Sequence, residues 1–142
     1  MIPYKEILRK SNRICHFIHA NGYPPDSYMT LLEKISKQFN VKSVLLRPHW
    51  DNKIDIEKIN DWNIFYNDIR KYNQENNVFN SFGLGHSIGG NILLKTALNN
   101  HKYYSAIVLL DPTIFSPVLI YLWRLFRYVG ATCVNPMIKK AK

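Results

Sequence analysis

Short apolar runs rich in β-branched and aromatic residues, at 13–19, 42–47, 78–84 and 104–110, alternate along this chain with stretches whose apolar positions recur at helical spacing. Those stretches predict helices at 26–39, 60–76, 89–99 and 115–128. Strands that alternate with helices in sequence pack as a parallel sheet between helical layers. The expected fold is therefore α/β, a three-layer αβα arrangement with a mainly parallel sheet. The chain has 142 residues, of which 46% are hydrophobic, which is one domain's length and enough to bury a core.

One junction between a strand and a helix carries chemistry. The run Val78–Leu84 passes through Gly85-His86-Ser87-Ile88-Gly89-Gly90 into the amphipathic stretch Asn91–Leu98. A G-x-S-x-G pattern in strand–turn–helix context holds its serine above the sheet edge, over a helix N-terminus, as an exposed nucleophile would stand. Side chains two before and two after the serine would clash where strand and helix approach, which is the mechanical reason for glycine there. The same hexapeptide also suits a glycine-rich turn whose serine merely caps the helix.

A second segment favours the nucleophile. His16-Phe17-Ile18-His19-Ala20-Asn21-Gly22-Tyr23-Pro24-Pro25-Asp26-Ser27-Tyr28 runs from a short strand through Asn-Gly-Tyr-Pro into a helix opened by proline and aspartate. With these residues the sequence resembles the α/β-hydrolase fold family, within it a subset whose turn reads like His-Ala-Asn-Gly-Phe-Pro followed by Ser-Tyr. The resemblance implies a serine hydrolase acting on an ester or related acyl substrate through an acyl-enzyme, with Ser87 as nucleophile. It implies an oxyanion hole made by the N–H groups of Tyr23 and Ile88. Arg47-Pro48-His49-Trp50, the helix-like Trp62–Ile69, and Ala106–Leu110 followed by Asp111-Pro112 are similar to corresponding family segments, so the likeness covers nearly the whole chain. It also implies a strand order 2-1-3-4 for the four expected strands, with the topological switch between the first and third, where ligands of open α/β sheets bind.

A serine nucleophile needs a base, and the base an orienting acid. The family places the acid and then the histidine after the serine along the chain. His101 is the one histidine beyond Ser87, and a helix separates the two, so the expected base is missing. Asp111, at the end of the last strand, is the candidate acid, with turn capping as its structural alternative. His19, Asn21, Gly22 and His86 flank the site as candidate substrate contacts; a structural hydrogen bond is the alternative for His19 and turn shaping for His86. His16 and His49 read as structural or exposed, and Asp26 as a helix N-cap. No histidine pair has metal-ligand spacing, so no metal is expected, and the implied acyl transfer calls for no cofactor.

The C-terminal stretch narrows the domain reading. Ile114–Tyr128 is rich in Phe, Leu, Trp and Tyr but is interrupted by Pro117 and too short for a membrane span. By resemblance, 1–112 is the N-terminal part of the hydrolase core and 113–142 the start of a helical cap, so the fold is expected to be incomplete and the isolated chain inactive. Nineteen Lys and Arg against ten Asp and Glu give a net charge of +9, but the basic residues are scattered, with no stripe interleaved with aromatics. Nucleic acid is therefore not an expected partner. A small-molecule substrate is, and a membrane-surface role through the aromatic stretch is disfavoured. Two cysteines, Cys15 and Cys133, and no apolar leader after Met1 suggest a reduced, cytoplasmic setting. The alternatives to a hydrolase are a non-catalytic binding protein of the same fold and a membrane-surface protein.

Overall fold

Side chains alternate across the central strand and so define two helical layers. In β2 (Ile14–Ile18) Cys15 and Phe17 face one side of the sheet, His16 and Ile18 the other, and all four are fully buried. A strand buried on both faces must lie inside a sheet. β2 indeed pairs in parallel with β3 (Asn40–Val44) and with β4 (Ser81–His86), and β5 (Tyr104–Leu110) runs parallel beyond β4. The computed structural model describes residues 2–9, 11–50, 61–113, 118, 121 and 122.

The full sheet has the order β1-β3-β2-β4-β5, in which β3-β2-β4-β5 is the order expected for four strands. β1 (Tyr4–Ile7) is additional and antiparallel to β3. Its sequence, Tyr-Lys-Glu-Ile, is too short and too polar to announce a strand. Pairing rescues it: Glu6 stands opposite Lys42 and the two form an ion pair at 3.2 Å, while Lys5 pairs with Asp26.

α1 (Met29–Ser36) covers one face, setting Leu32 against Cys15, Phe17, Val41 and Leu84. α2 (Asn63–Glu75) and α3 (Ile88–Asn99) cover the other, where Phe65, Ile69, Tyr72, Ile92 and Leu93 enclose Ile18 and Val44. The result is the expected αβα sandwich. That second face also holds a polar pocket: His16 Nδ1 and the Tyr104 hydroxyl are 2.8 Å apart, and Asn73 donates to the same hydroxyl at 3.1 Å. The Tyr104 ring passes over Gly83, which pairs with His16 in the ladder.

Element boundaries differ from expectation where a local conformation wins over pattern. The helix expected at 26–39 opens instead as a 3-10 turn, Pro25–Tyr28, and α1 starts only at Met29, because Tyr28 (φ −111°, ψ 10°) leaves helical geometry. Asp26 caps nothing and binds Lys5. The strand expected from 78 begins at Ser81, since Asn77 and Asn80 adopt left-handed conformations (φ 52° and 48°) that turn the chain between them. Val118, Tyr121 and Leu122 are helical, and the rest of the expected helix at 115–128 and most of the expected cap at 113–142 lie outside the described residues.

Candidate active site

Parallel strands bring their carboxyl ends to one edge, so the turn after β2, the turn after β4 and the residues after β5 face a common crevice. Neighbouring β2 and β4 mark the point where the strand order reverses. Ser87 stands between β4 and α3 at φ 52° and ψ −120°, a conformation a serine adopts only under strain from its surroundings. What imposes it is the crossing of strand and helix. A Cβ on Gly85 would lie 2.7 Å from the Gly89 carbonyl oxygen and the Gly90 Cα, and one on Gly89 would overlap the Ile18 carbonyl oxygen. The elbow is tied down by Ser87 N–H donating to Leu110 O at 2.9 Å and by Gly90 N–H donating to Ser87 O at 3.0 Å.

At this elbow the side chain of Ser87 is half-buried, and its Oγ lies 3.3 Å from the Thr113 hydroxyl. The Ile88 N–H, in the first turn of α3, has no hydrogen-bond acceptor among the described residues and lies at the positive end of the helix dipole. Across the crevice Ala20-Asn21-Gly22-Tyr23 forms a tight turn in which Gly22 takes φ +78° and Tyr23 N–H donates to Ala20 O at a long 3.3 Å. Asn21, Gly22 and Tyr23 are exposed there.

The histidines divide by what their nitrogens already do. His19 is fully buried; its Nδ1 donates to Ala20 O at 2.8 Å and its Nε2 accepts from Leu46 N–H at 2.9 Å. Both ring nitrogens are thus engaged by backbone, as its structural alternative requires. Burial, with a smaller push from His49, holds the His19 imidazole below its usual range against the pull of the Ala20 carbonyl. His86 Nδ1 lies 2.7 Å from the Tyr28 hydroxyl. His101 stands in the exposed turn after α3, whose 12 residues put it about 18 Å from the elbow. None of the five histidines hydrogen-bonds Ser87 among the described contacts. Asp111 follows β5 on the Ser87 side of the sheet, exposed and left-handed at φ 45°.

Two features carried no sequence signal. A cavity of about 340 Å³ opens beside the elbow, lined by Trp62, Tyr66, Ile88, Asn91, Lys95 and Thr113 among others. Asn91 donates to Thr113 O at 2.9 Å, holding the chain after β5 against α3. The second is the ion pair of Arg47 with Asp68, bidentate at 2.6 and 2.8 Å, which fastens the loop after β3 to α2, while Arg47 also lies 4.9 Å from the Trp50 ring centre. Asp68 is 8% exposed, so Asp68→Ala should leave a guanidinium half-buried without its partner. The expected loss, read from urea unfolding, is about 2 kcal/mol.

The chain is thus a parallel-sheet αβα sandwich with a strained serine in the strand-to-helix turn at its switch point. Solved structures place the chain more narrowly. It superimposes on a carboxylesterase of Nitrososphaera gargenis (22% identity, TM-score 0.69, 92% of this chain and 49% of that one). It does so on MenH from S. aureus as well (19% identity, TM-score 0.73, 95% and 52%) and on a bacterial membrane phospholipase A (18%, 0.71, 80% and 37%). The fold is that of the α/β hydrolases, and the chain spans about half the length of the first two of these structures. No protein-family model and no curated protein matches the sequence. Among the described residues no group of His, Cys, Asp and Glu could hold a metal ion, and no helix is long and apolar enough to cross a membrane.

Proposed function

We propose that the chain is the nucleophile-bearing, N-terminal part of a serine hydrolase that cleaves a small-molecule ester or related acyl compound through an acyl-enzyme. The observation that carries this reading is Ser87 held at φ 52° between β4 and α3, with the unpartnered Ile88 N–H beside it. A side chain is kept in such backbone space only where the surrounding structure over-determines it, and functional turns are where this occurs. Ser87 Oγ attacks the acyl carbon, and the carbonyl oxygen, becoming an oxyanion, accepts from Ile88 N–H and from Tyr23 N–H. The long Tyr23–Ala20 bond, 3.3 Å, is one the N–H can share or exchange for a charged acceptor.

The base is the remaining part. With His16, His19 and His86 hydrogen-bonded elsewhere, His101 a helix length away and no histidine bonded to Ser87 among the described residues, it is a histidine from outside these 142 residues, oriented by Asp111 or by another acid there; the isolated chain is then inactive. The cavity beside Ile88 and Thr113 would take part of the substrate, and Asn21 and Gly22, exposed in the oxyanion turn, would border it. A reduced, cytoplasmic setting agrees with Cys15, a free thiol that burial pushes up to about 12 and so renders unreactive.

A fluorophosphonate probe tests the reading. In the protein as its cells make it, mass spectrometry should find the probe on Ser87, and Ser87→Ala should abolish labelling; a silent Ser87 there would sink the hydrolase. One observation favours a second reading, a binding protein of this fold without catalysis: the side-chain partner of Ser87 among the described residues is the Thr113 hydroxyl and not an imidazole. That reading expects silence toward the probe in every form of the protein.

A further inference from the structure

Besides the close packing of Gly89 on the end of β2, a side chain links the two halves of the site. Tyr28 leaves helical geometry just before α1, and its ring stands edge-on to Phe17 (centroids 4.8 Å) and to His86 (5.7 Å, interplanar 76°). Its hydroxyl accepts from Ala20 N–H at 3.3 Å and lies 2.7 Å from His86 Nδ1. The Ala20 amide is a donor only, and no other acceptor hydrogen-bonds this hydroxyl among the described residues. This arrangement suits a phenol that donates to Nδ1 and the His86 tautomer with its proton on Nε2.

The ends of this strap are informative. Ala20 is the first residue of the turn that carries Tyr23, and its carbonyl is the acceptor of the Tyr23 N–H. His86 is the residue before Ser87, at the end of β4. β2 and β4 are paired up to Ile18 and Gly85, and beyond that register no backbone hydrogen bond joins the two turns among the described residues, although Gly89 packs against the Ile18 and His19 carbonyls. The Ala20–Tyr28–His86 connection spans that gap.

We propose that Tyr28 is a positioning residue, which fixes the separation of the two oxyanion donors, Tyr23 N–H and Ile88 N–H, by tying the turn after β2 to the elbow through His86. The inference rests on the serine-hydrolase reading above. The helix pattern of 26–39 is broken at this same residue, whose hydroxyl meets both partners. Donors preset for an oxyanion lose effect steeply with misplacement, so loosening the strap should slow the acylation step and leave ground-state binding of a neutral ester little changed.

Tyr28→Phe keeps the ring between Phe17 and His86 and removes only the hydroxyl. In the full protein we expect fluorophosphonate labelling of Ser87 to slow at least tenfold, with an unchanged thermal midpoint and with amide exchange at Ala20 at least tenfold faster. Nitrogen NMR should find His86 as the Nε2–H tautomer, and this preference should weaken in the variant. His86→Ala should slow labelling similarly, and the double variant should be no slower than either single one, since both remove the same connection. Labelling of Tyr28→Phe at the parent rate would overturn the inference and leave the hydrolase standing, as would additive effects in the double variant. Failure of the unsubstituted protein to label overturns both, and it is recognised by the absence of a starting rate.

Discussion

Gly89→Ala should destabilise the protein by about 4 kcal/mol, enough to unfold a domain of ordinary stability, while Gly90→Ala one residue on should cost about 1 kcal/mol or less. The difference lies in what the added methyl meets. At Gly89 it overlaps the Ile18 carbonyl oxygen and comes within 2.6 Å of the His19 carbonyl oxygen. Both are backbone, and Ile18 is paired on both sides, with Val44 in β3 and Gly85 in β4, so it has no direction in which to yield. The helix must then back away from the sheet, opening the contact of Ile92 and Leu93 with the core and dragging Ser87 with it. At Gly90 the nearest atom is the Gly85 carbonyl oxygen at 3.3 Å, which needs a shift of a few tenths of an ångström, and alanine's better helix propensity offsets part of the strain. Denaturant midpoints of the two variants measure this directly. Equal midpoints would mean that the close packing of elbow and β2 is not what fixes the site.

The second large effect is acid sensitivity beginning well above the carboxylate range. His16 is fully buried, and burial, reinforced by Lys42 on the neighbouring strand, lowers its imidazole to about 3. The groups around it are the Tyr104 and Tyr72 phenols, both raised by burial, and neither offers a negative charge near neutrality. In the unfolded chain the same histidine titrates near 6.5. Below that pH the unfolded state takes up a proton that the folded state refuses, so stability is full above 6.5 and falls as pH drops toward 3. The slope approaches about 1.4 kcal/mol per pH unit, with a ceiling of about 4–5 kcal/mol from this residue. His19, also lowered, acts in the same direction. Melting temperature should therefore decline from pH 6.5 to 5, where an ordinary surface histidine would leave it flat. His16→Phe should be less stable near neutrality by about 1 kcal/mol, the lost Tyr104 hydrogen bond, and should show the weaker acid dependence left by His19. A parent whose melting temperature holds steady across that window would show that the His16 pocket admits its proton.

How much of this was legible beforehand depended on the range of the interaction involved. β2, β5, α2 and α3 follow from local apolar patterns, and the four-strand order follows from the family likeness of the His-Ala-Asn-Gly-Tyr-Pro and Gly-His-Ser-Ile-Gly-Gly segments. β1 was invisible because its strand character comes from Lys42 and Val44 across the ladder, about forty residues away in sequence, and not from its own residues. α1 starts later than its pattern predicts, at the point where Tyr28 leaves helical geometry with its hydroxyl 2.7 Å from His86, 58 residues on. His19 looked available from its place beside the turn, and only the fold shows both of its nitrogens engaged by backbone.

The sequence by itself determined the alternation of strands and helices, the strained turn at Ser87 and the glycines that permit it, because these depend on neighbours within a few residues and on the steric size of single side chains. The tertiary structure alone decided which histidines are already hydrogen-bonded, that His16 lies fully buried beside Tyr104, and that Tyr28 joins the two turns of the site. Each of these is a matter of hydrogen-bond partners distant along the chain. A hydrogen bond is set by position to within a few tenths of an ångström, and that precision exists only after the sheet has brought the strands into register.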